Sequence, residues 1–153
     1  MVFARDEEAE MKYSISYEEN PKPDDTLVLE NGIMEYDKQN QSQSQTTFFA
    51  FFVRDEKGNI VGGCDGEIMY GHLYIGHVWV TETLRGQGFG ASLMRAVEQL
   101  ATDSRCHFMA VNTMEWQALD FYKRFGFFVE FERRGFDNDA IFYYLRKDLA
   151  KIN

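Results

Sequence analysis

Six residues, Arg85-Gly86-Gln87-Gly88-Phe89-Gly90, join a permanent cation to three glycines. A glycine reaches positive φ without strain and lets a ligand approach where a Cβ would stand. If this turn opens a helix, its N–H groups and the positive end of the helix dipole converge on one point. That point attracts an anion, above all a phosphate. Arg85 adds several donors at fixed geometry. Three loop patterns compete for the stretch. A phosphate loop of the G-x-x-x-x-G-K-[ST] kind needs Lys and Ser or Thr after its last glycine, but Ala91 and Ser92 follow Gly90. The dinucleotide pattern G-x-G-x-x-G/A fits formally at Gly86, Gly88 and Ala91. Its context fails, because that loop belongs in a first βα turn with an acidic residue about 20 positions on. The third pattern, Arg/Gln-x-x-Gly-x-Gly/Ala, is met in full by Arg85, Gly88 and Gly90. A glycine-rich turn with no ligand remains the plain alternative.

Such a loop works only if a strand delivers it and a helix leaves it. Upstream, His72 to Thr81 reads as a buried strand. Downstream, Phe89, Leu93, Ala96, Val97 and Leu100 recur at helical spacing, which predicts a helix to Asp103. Before the strand come two more, Thr46 to Arg54 and Ile60 to Tyr70, divided by the turn Glu56-Lys57-Gly58-Asn59. With a tight turn at Tyr70-Gly71 the three form an antiparallel meander. Met69 then pairs with His72 and Glu67 with Tyr74. This puts Glu67 on the face of Tyr74, Val78 and Val80 until a bulge shifts the register. Cys106 to Val111 reads as a buried strand, parallel to its predecessor through a right-handed crossover. Asn112-Thr113 is a candidate cap for a helix from Glu115, whose Ala118, Phe121, Tyr122 and Phe125 share a face. Gly126 ends it. Phe127 to Arg133 and Ala140 to Arg146 complete the strands. At the other end, Tyr13 to Tyr17 alternates as a short strand does. A helix from Asp24 would turn Leu27, Ile33, Met34 and Tyr36 inward, and Lys38 to Gln45 reads as a loop. Residues 1–10 are expected to be a flexible tail, with a single domain over 11–153.

At 153 residues, 44% hydrophobic, with 14 Phe and 8 Tyr, the chain can bury a real core. Its net charge of −9 argues against nucleic acid and mildly favours a cationic substrate. No apolar run is long enough to span a bilayer and no signal peptide is visible, so no membrane partner and a cytoplasmic location are expected. The two cysteines, Cys64 and Cys106, read as small buried thiols, and no Cys/His spacing suggests a metal.

The loop pattern resembles the acyl-CoA diphosphate loop of the GNAT superfamily of N-acetyltransferases. A second motif agrees: Asn112, Ala118, Phe121-Tyr122-Lys123 and Phe125-Gly126-Phe127 are similar to that superfamily's N-x-x-A-x-x-F-Y-x-x-x-G-F signature, although Asn112 lies farther from Ala118 than in many members. The resemblance implies an α+β GNAT-like fold: a mixed sheet of about seven strands with helices on both faces. His72–Thr81 and Cys106–Val111, fourth and fifth in that order, would splay apart around a bulge flanked by Val78, Trp79 and Val80. It further implies acetyl-CoA as co-substrate, with Arg85, Gly86, Gln87, Gly88, Phe89, Gly90 and Ala91 around the diphosphate. Pantetheine would lie along Val78 to Val80 as an added strand, with Asn112 and Tyr122 close by. The activity implied is transfer of an acetyl group to a primary amine by direct attack in a ternary complex. The acceptor would be a small cationic molecule, a Lys side chain or an N-terminal amine. An alkylamine is protonated at neutral pH and needs a base; the leaving thiolate needs an acid. Tyr122 holds the position of the acid. Glu67 is the candidate base, with His77, Asp65 or a bare water relay as rivals. Acidic side chains at Glu30, Glu35, Asp37, Asp137 and Asp139 would attract the acceptor. A non-catalytic acyl-CoA sensor and a homodimer are the open alternatives.

Overall fold

The computed structural model describes residues 13–40 and 45–150. It divides into two compact units, 1–43 and 44–153. In the first, helix α1 runs over Pro23–Asn40, with Asp24 and Asp25 in its first turn and Lys38 in its last, both favourable to the helix dipole. The helix continues through residues assigned above to a loop. Thr26 donates to the Pro23 carbonyl and Asn40 to that of Tyr36, so both ends have polar closure. Leu27, Ile33 and Tyr36 are exposed, contrary to the inward face expected for them, and Met34 is half-buried. Tyr13 to Tyr17 makes a single bridge at Ser16 and no strand. Alternation alone does not make a strand; without a ladder partner, Tyr13, Ile15 and Tyr17 stay exposed. The tail expected at 1–10 and the loop residues 41–44 lie outside the described residues.

The second unit holds one mixed sheet of six strands, not about seven. The meander is β1 (Thr47–Arg54), β2 (Ile60–Met69) and β3 (His72–Val80). Tyr70 and Gly71 turn between β2 and β3 with φ of 48° and 75°, the backbone of a tight two-residue hairpin. That turn fixes the pairs Met69 with His72 and Glu67 with Tyr74. A short 3-10 turn, Glu82–Leu84, then leads through the glycine loop into α2 (Phe89–Asp103). Next come β4 (Phe108–Met114), α3 (Leu119–Arg124), β5 (Phe128–Arg133) and β6 (Phe142–Asp148), in the sheet order β1-β2-β3-β4-β6-β5. The α2 crossover makes β3 and β4 parallel neighbours.

Asn112 and Thr113 do not cap a helix; they lie inside β4, opposite Tyr144 and Tyr143 of β6. Ladder bonds from a strand about thirty residues later outweigh the local cap preference. Thr113 still acts at a distance: its buried hydroxyl accepts from the Ala118 N–H at 3.3 Å, just ahead of α3. Leu73, Ile75, Met109, Val111 and Leu145 are buried on one face, the inner face, against Leu93, Met94, Val97 and Ala101 of α2 and against Tyr122 and Phe127. Cys64 and Cys106 are buried free thiols in this core. The opposite, outer face of this unit carries Glu67, Tyr74, His77, Trp79 and Asn112.

Candidate active site

β3 and β4 pair only from His72–Phe108 to Ile75–Val111. Beyond that both strands continue, β3 to Val80 and β4 to Met114, but not against each other. The cause lies at Gly76. In the β2–β3 ladder Ile75 pairs with Gly66 and His77 with Asp65, so Gly76 is an extra residue, a β-bulge. A Cβ on Gly76 would stand 3.0 Å from Asp65 Oδ1, so the carboxylate occupies the space that the missing side chain leaves. The bulge therefore sits upstream of Val78 to Val80. It reverses the alternation: Val78 and Val80, opposite Cys64 and Gly62, turn inward, while His77 and Trp79 join Glu67 on the outer face. The expectation that Val78 and Val80 share the face of Glu67 is thus corrected by an insertion of one residue.

The opening between the strands continues into a cleft of about 980 Å³. Val78, Trp79 and Val80 form one wall. Leu84, Arg85, Gly86, Gly88, Phe89, Gly90 and Ala91 form its end. The opposite wall comes from residues 115–121 with Arg124 and Phe125. Gly88 is the N-cap of α2 at φ 87°, so no side chain caps the helix. The first intrahelical bond runs from the Ser92 N–H to the Gly88 carbonyl at 3.0 Å. The N–H groups of Phe89, Gly90 and Ala91 precede it and have no partner within the helix. Gly86 also has positive φ, and neither it nor Gly88 has an atom within 4 Å of where a Cβ would be. Gly90 has a different reason to be small. A Cβ there would meet the Phe121 ring at 3.2 Å, so this glycine lets α3 pack against the start of α2. Arg85 Nε donates to the Val80 carbonyl at 3.3 Å, which holds the guanidinium at the mouth of the cleft.

Three of the residues expected around the cofactor are placed elsewhere. The Gln87 amide donates to the Thr83 carbonyl at 2.9 Å and braces the loop from behind. Asn112 Nδ2 donates to the Tyr74 hydroxyl at 3.2 Å on the outer face. Tyr122 does not line the cleft either. It is 6% exposed, edge-on to Phe121 and Phe127. Burial, then the charges of Cys64 and Tyr74, push its phenol up to about 12, so it keeps its proton. No buried polar atom among the described residues lacks a partner, and its hydroxyl has none from the protein, so the hydroxyl is not fully sealed. Burial also pushes the Cys64 thiol up to about 11, helped by the Asp65 charge, which leaves it an inert core group. Tyr74 is raised as well, by burial, then Glu67, then Tyr144.

Glu67, Asp65 and His77 come together on the outer face, Glu67 beside Tyr74 and Asp65 in contact with His77 at 2.9 Å. The whole wall of residues 115–121, Arg124 and Phe125 escaped the sequence reading of the site, Trp116 and Arg124 among them. Trp116, 66% exposed, lies in the turn after β4, and Arg124 lies in the last turn of α3. An exposed Trp next to an expected helix start was the available signal.

Residues 9–127 match the family model described as the acetyltransferase (GNAT) family. An acetyltransferase of Agrobacterium fabrum is 33% identical over 75 residues, 49% of this chain and 55% of the relative. A blasticidin-S acetyltransferase of Streptomyces morookaense is 31% identical over 80 residues, 52% of this chain and 59% of the relative. The matches thus span a little over half the length of these curated relatives. A crystal structure from Agrobacterium tumefaciens, described as an acetyltransferase, superposes with a TM-score of 0.79 at 21% identity, covering 88% of this chain and 98% of that one. No helix among the described residues is long and apolar enough to cross a membrane.

Proposed function

The chain belongs to the acetyltransferase (GNAT) family, and from that premise we propose that it moves the acetyl group of acetyl-CoA onto a primary amine, by direct attack in a ternary complex. The observation that carries this reading is the abrupt end of β3–β4 pairing after Ile75 and Val111, with a cleft leading from it to the uncapped start of α2. The diphosphate of the co-substrate is assigned to the N–H groups of Phe89, Gly90 and Ala91, with Arg85 at the rim. Pantetheine is assigned to the edge of Val78 to Val80 that β4 no longer covers, where it adds as a partial strand. Backbone N–H groups beside the bulge are suited to receive the thioester oxygen as charge gathers on it. Trp116 offers an aromatic face at the far wall, a stacking surface for the nucleotide base.

Tyr122 is the proposed acid for the departing thiolate, because its hydroxyl is protonated, bonds to no protein group and is not fully sealed. The acceptor would approach the outer face, where Glu67, Asp65 and His77 stand. We assign a cationic small amine or a Lys or N-terminal amine as its class, on the net charge of −9 and the carboxylates of Asp137 and Asp139 at the β5–β6 connection. One relative is named for acetylating blasticidin S; the acceptor of this chain is to be found by screening. Calorimetric titration should show micromolar binding of acetyl-CoA and none of NAD. Thiol release across an amine panel, with mass identification of the product, then tests transfer. Binding without turnover on any amine would reduce the protein to an acyl-CoA sensor, and absence of binding would remove the reading altogether.

A further inference from the structure

We propose that His77 Nε2 takes the proton from the acceptor amine and that Asp65 is the positioning residue that makes it able to. This rests on the acetyl-transfer reading above. The bulge at Gly76 carries the argument. By adding one residue it turns His77 outward, immediately after the point where β3 leaves β4 and where the thioester is assigned. The same bulge brings the Asp65 carboxylate against the backbone of β3, into the space left by Gly76.

Asp65 then grips His77 twice. Its Oδ1 accepts the His77 backbone N–H at 2.9 Å and faces the ring nitrogen Nδ1 at 2.9 Å, with Oδ2 at 3.2 Å from that nitrogen. An ionised carboxylate has no proton to give. In the neutral ring the proton of this contact must therefore sit on Nδ1, which leaves the lone pair on Nε2. The imidazolium that forms on proton uptake is stabilised by the same carboxylate. The ring edge is open, with the His77 side chain 86% exposed, so an amine can reach Nε2. The ionisable side chains on this face are Asp65 and Glu67 of β2, His72 and Tyr74 of β3 and, beyond Asn112, Tyr144 of β6. Tyr74 is a poor base, as its phenol is raised and its oxygen already accepts from Asn112. Between the other candidates, geometry favours the imidazole: Asp65 fixes the ring through its Nδ1 side and leaves Nε2 as an open acceptor beside the bulge. Glu67, two residues along β2 from Asp65, is then the group that draws the ammonium form to the face.

The step balances as follows. The ammonium gives one proton to Nε2 and becomes the free amine. Its lone pair forms the C–N bond at the thioester carbon. The intermediate nitrogen loses a second proton as the C–S bond breaks, and the sulfur leaves as a thiol with a proton from Tyr122, which the second proton replaces. One proton per turnover leaves His77 for solvent.

The test compares wild type, His77→Ala, Asp65→Asn and Glu67→Gln in thiol release against pH, with an amine found by the screen. His77→Ala should lower kcat by about 100-fold or more, leave the KM for acetyl-CoA unchanged, abolish the acid limb of the rate profile and regain activity with added imidazole. Asp65→Asn should lower kcat less, and nitrogen NMR should show neutral His77 moving off the Nδ1–H tautomer. Glu67→Gln should keep the acid limb and raise the KM for the amine. Unchanged kcat and profile in His77→Ala beside an active wild type would overturn this inference alone. Loss of the acid limb in Glu67→Gln would also overturn it. A wild type that transfers acetyl to no amine would instead overturn the acetyl-transfer reading, and this inference with it. Binding of acetyl-CoA by each variant reports that it is folded.

Discussion

Tyr122→Phe separates a chemical role from a packing role, because the two have different signatures in pH. The phenol is buried and its folded value is pushed up from 10.0 to about 12, chiefly by burial. Because the folded value lies above the unfolded one, the contribution is whole below pH 10.0. It is lost as the pH rises through the folded value of about 12. At ~1.4 kcal/mol per pH unit the loss is about 1.4 kcal/mol near pH ~11 and about 2–3 kcal/mol once pH ~12 is passed. Phenylalanine does not titrate, so this loss is absent in the variant. The hydroxyl has no protein partner to forfeit, so the neutral-pH cost should stay below about 1 kcal/mol. Urea unfolding of both proteins at steps from pH 8 to the alkaline limit reads the difference, and tyrosinate absorbance in the ultraviolet follows the titration itself. The wild type should fall relative to the variant by the stated amount over that window. Parallel curves would mean that the phenol titrates as an exposed one and that its burial has been misjudged. In the same pair, turnover should drop while acetyl-CoA affinity holds; equal turnover would end the acid assignment.

Other perturbations address the cleft and the core. Gly88→Val forces a β-branched side chain to φ 87° and puts its bulk where the diphosphate is assigned; acetyl-CoA affinity should fall by more than stability does, measured by calorimetry and thermal melting. Gly90→Ala brings a methyl to 3.2 Å from the Phe121 ring, which must give by a few tenths of an ångström, while alanine gains about 1 kcal/mol over glycine in a helix, so the net change in stability should stay within about 1 kcal/mol by denaturant titration. Arg85→Ala should weaken acetyl-CoA binding most at low salt, and identical affinities across ionic strength would deny the guanidinium an electrostatic role. Leu73→Ala opens a cavity at a fully buried position and should cost about 2–5 kcal/mol.

The elements around the loop were legible because their signals are local. The turn at Tyr70-Gly71 set the hairpin register correctly, since two residues of positive φ leave no freedom in the pairing that follows. The helix after the loop followed from apolar spacing that begins at Phe89. Tyr13 to Tyr17 misled for the same reason: alternation describes a surface, but a strand also needs a neighbour. Asn112-Thr113 misled because a cap preference is small beside a ladder with β6.

By itself the sequence determined the family, the order of elements from β1 onward and the glycine-rich turn that carries β3 into α2. Only the tertiary structure decided which side chains meet. Period-two alternation cannot locate an inserted residue, so the chain did not reveal that Gly76 reverses the faces of β3, sends Val78 and Val80 inward and brings His77 out beside Asp65. Likewise Gly88 and Gly90 look alike in the sequence. One is free of atoms where its side chain would be and the other is pressed by Phe121, a distinction that exists only once α3 has packed against α2.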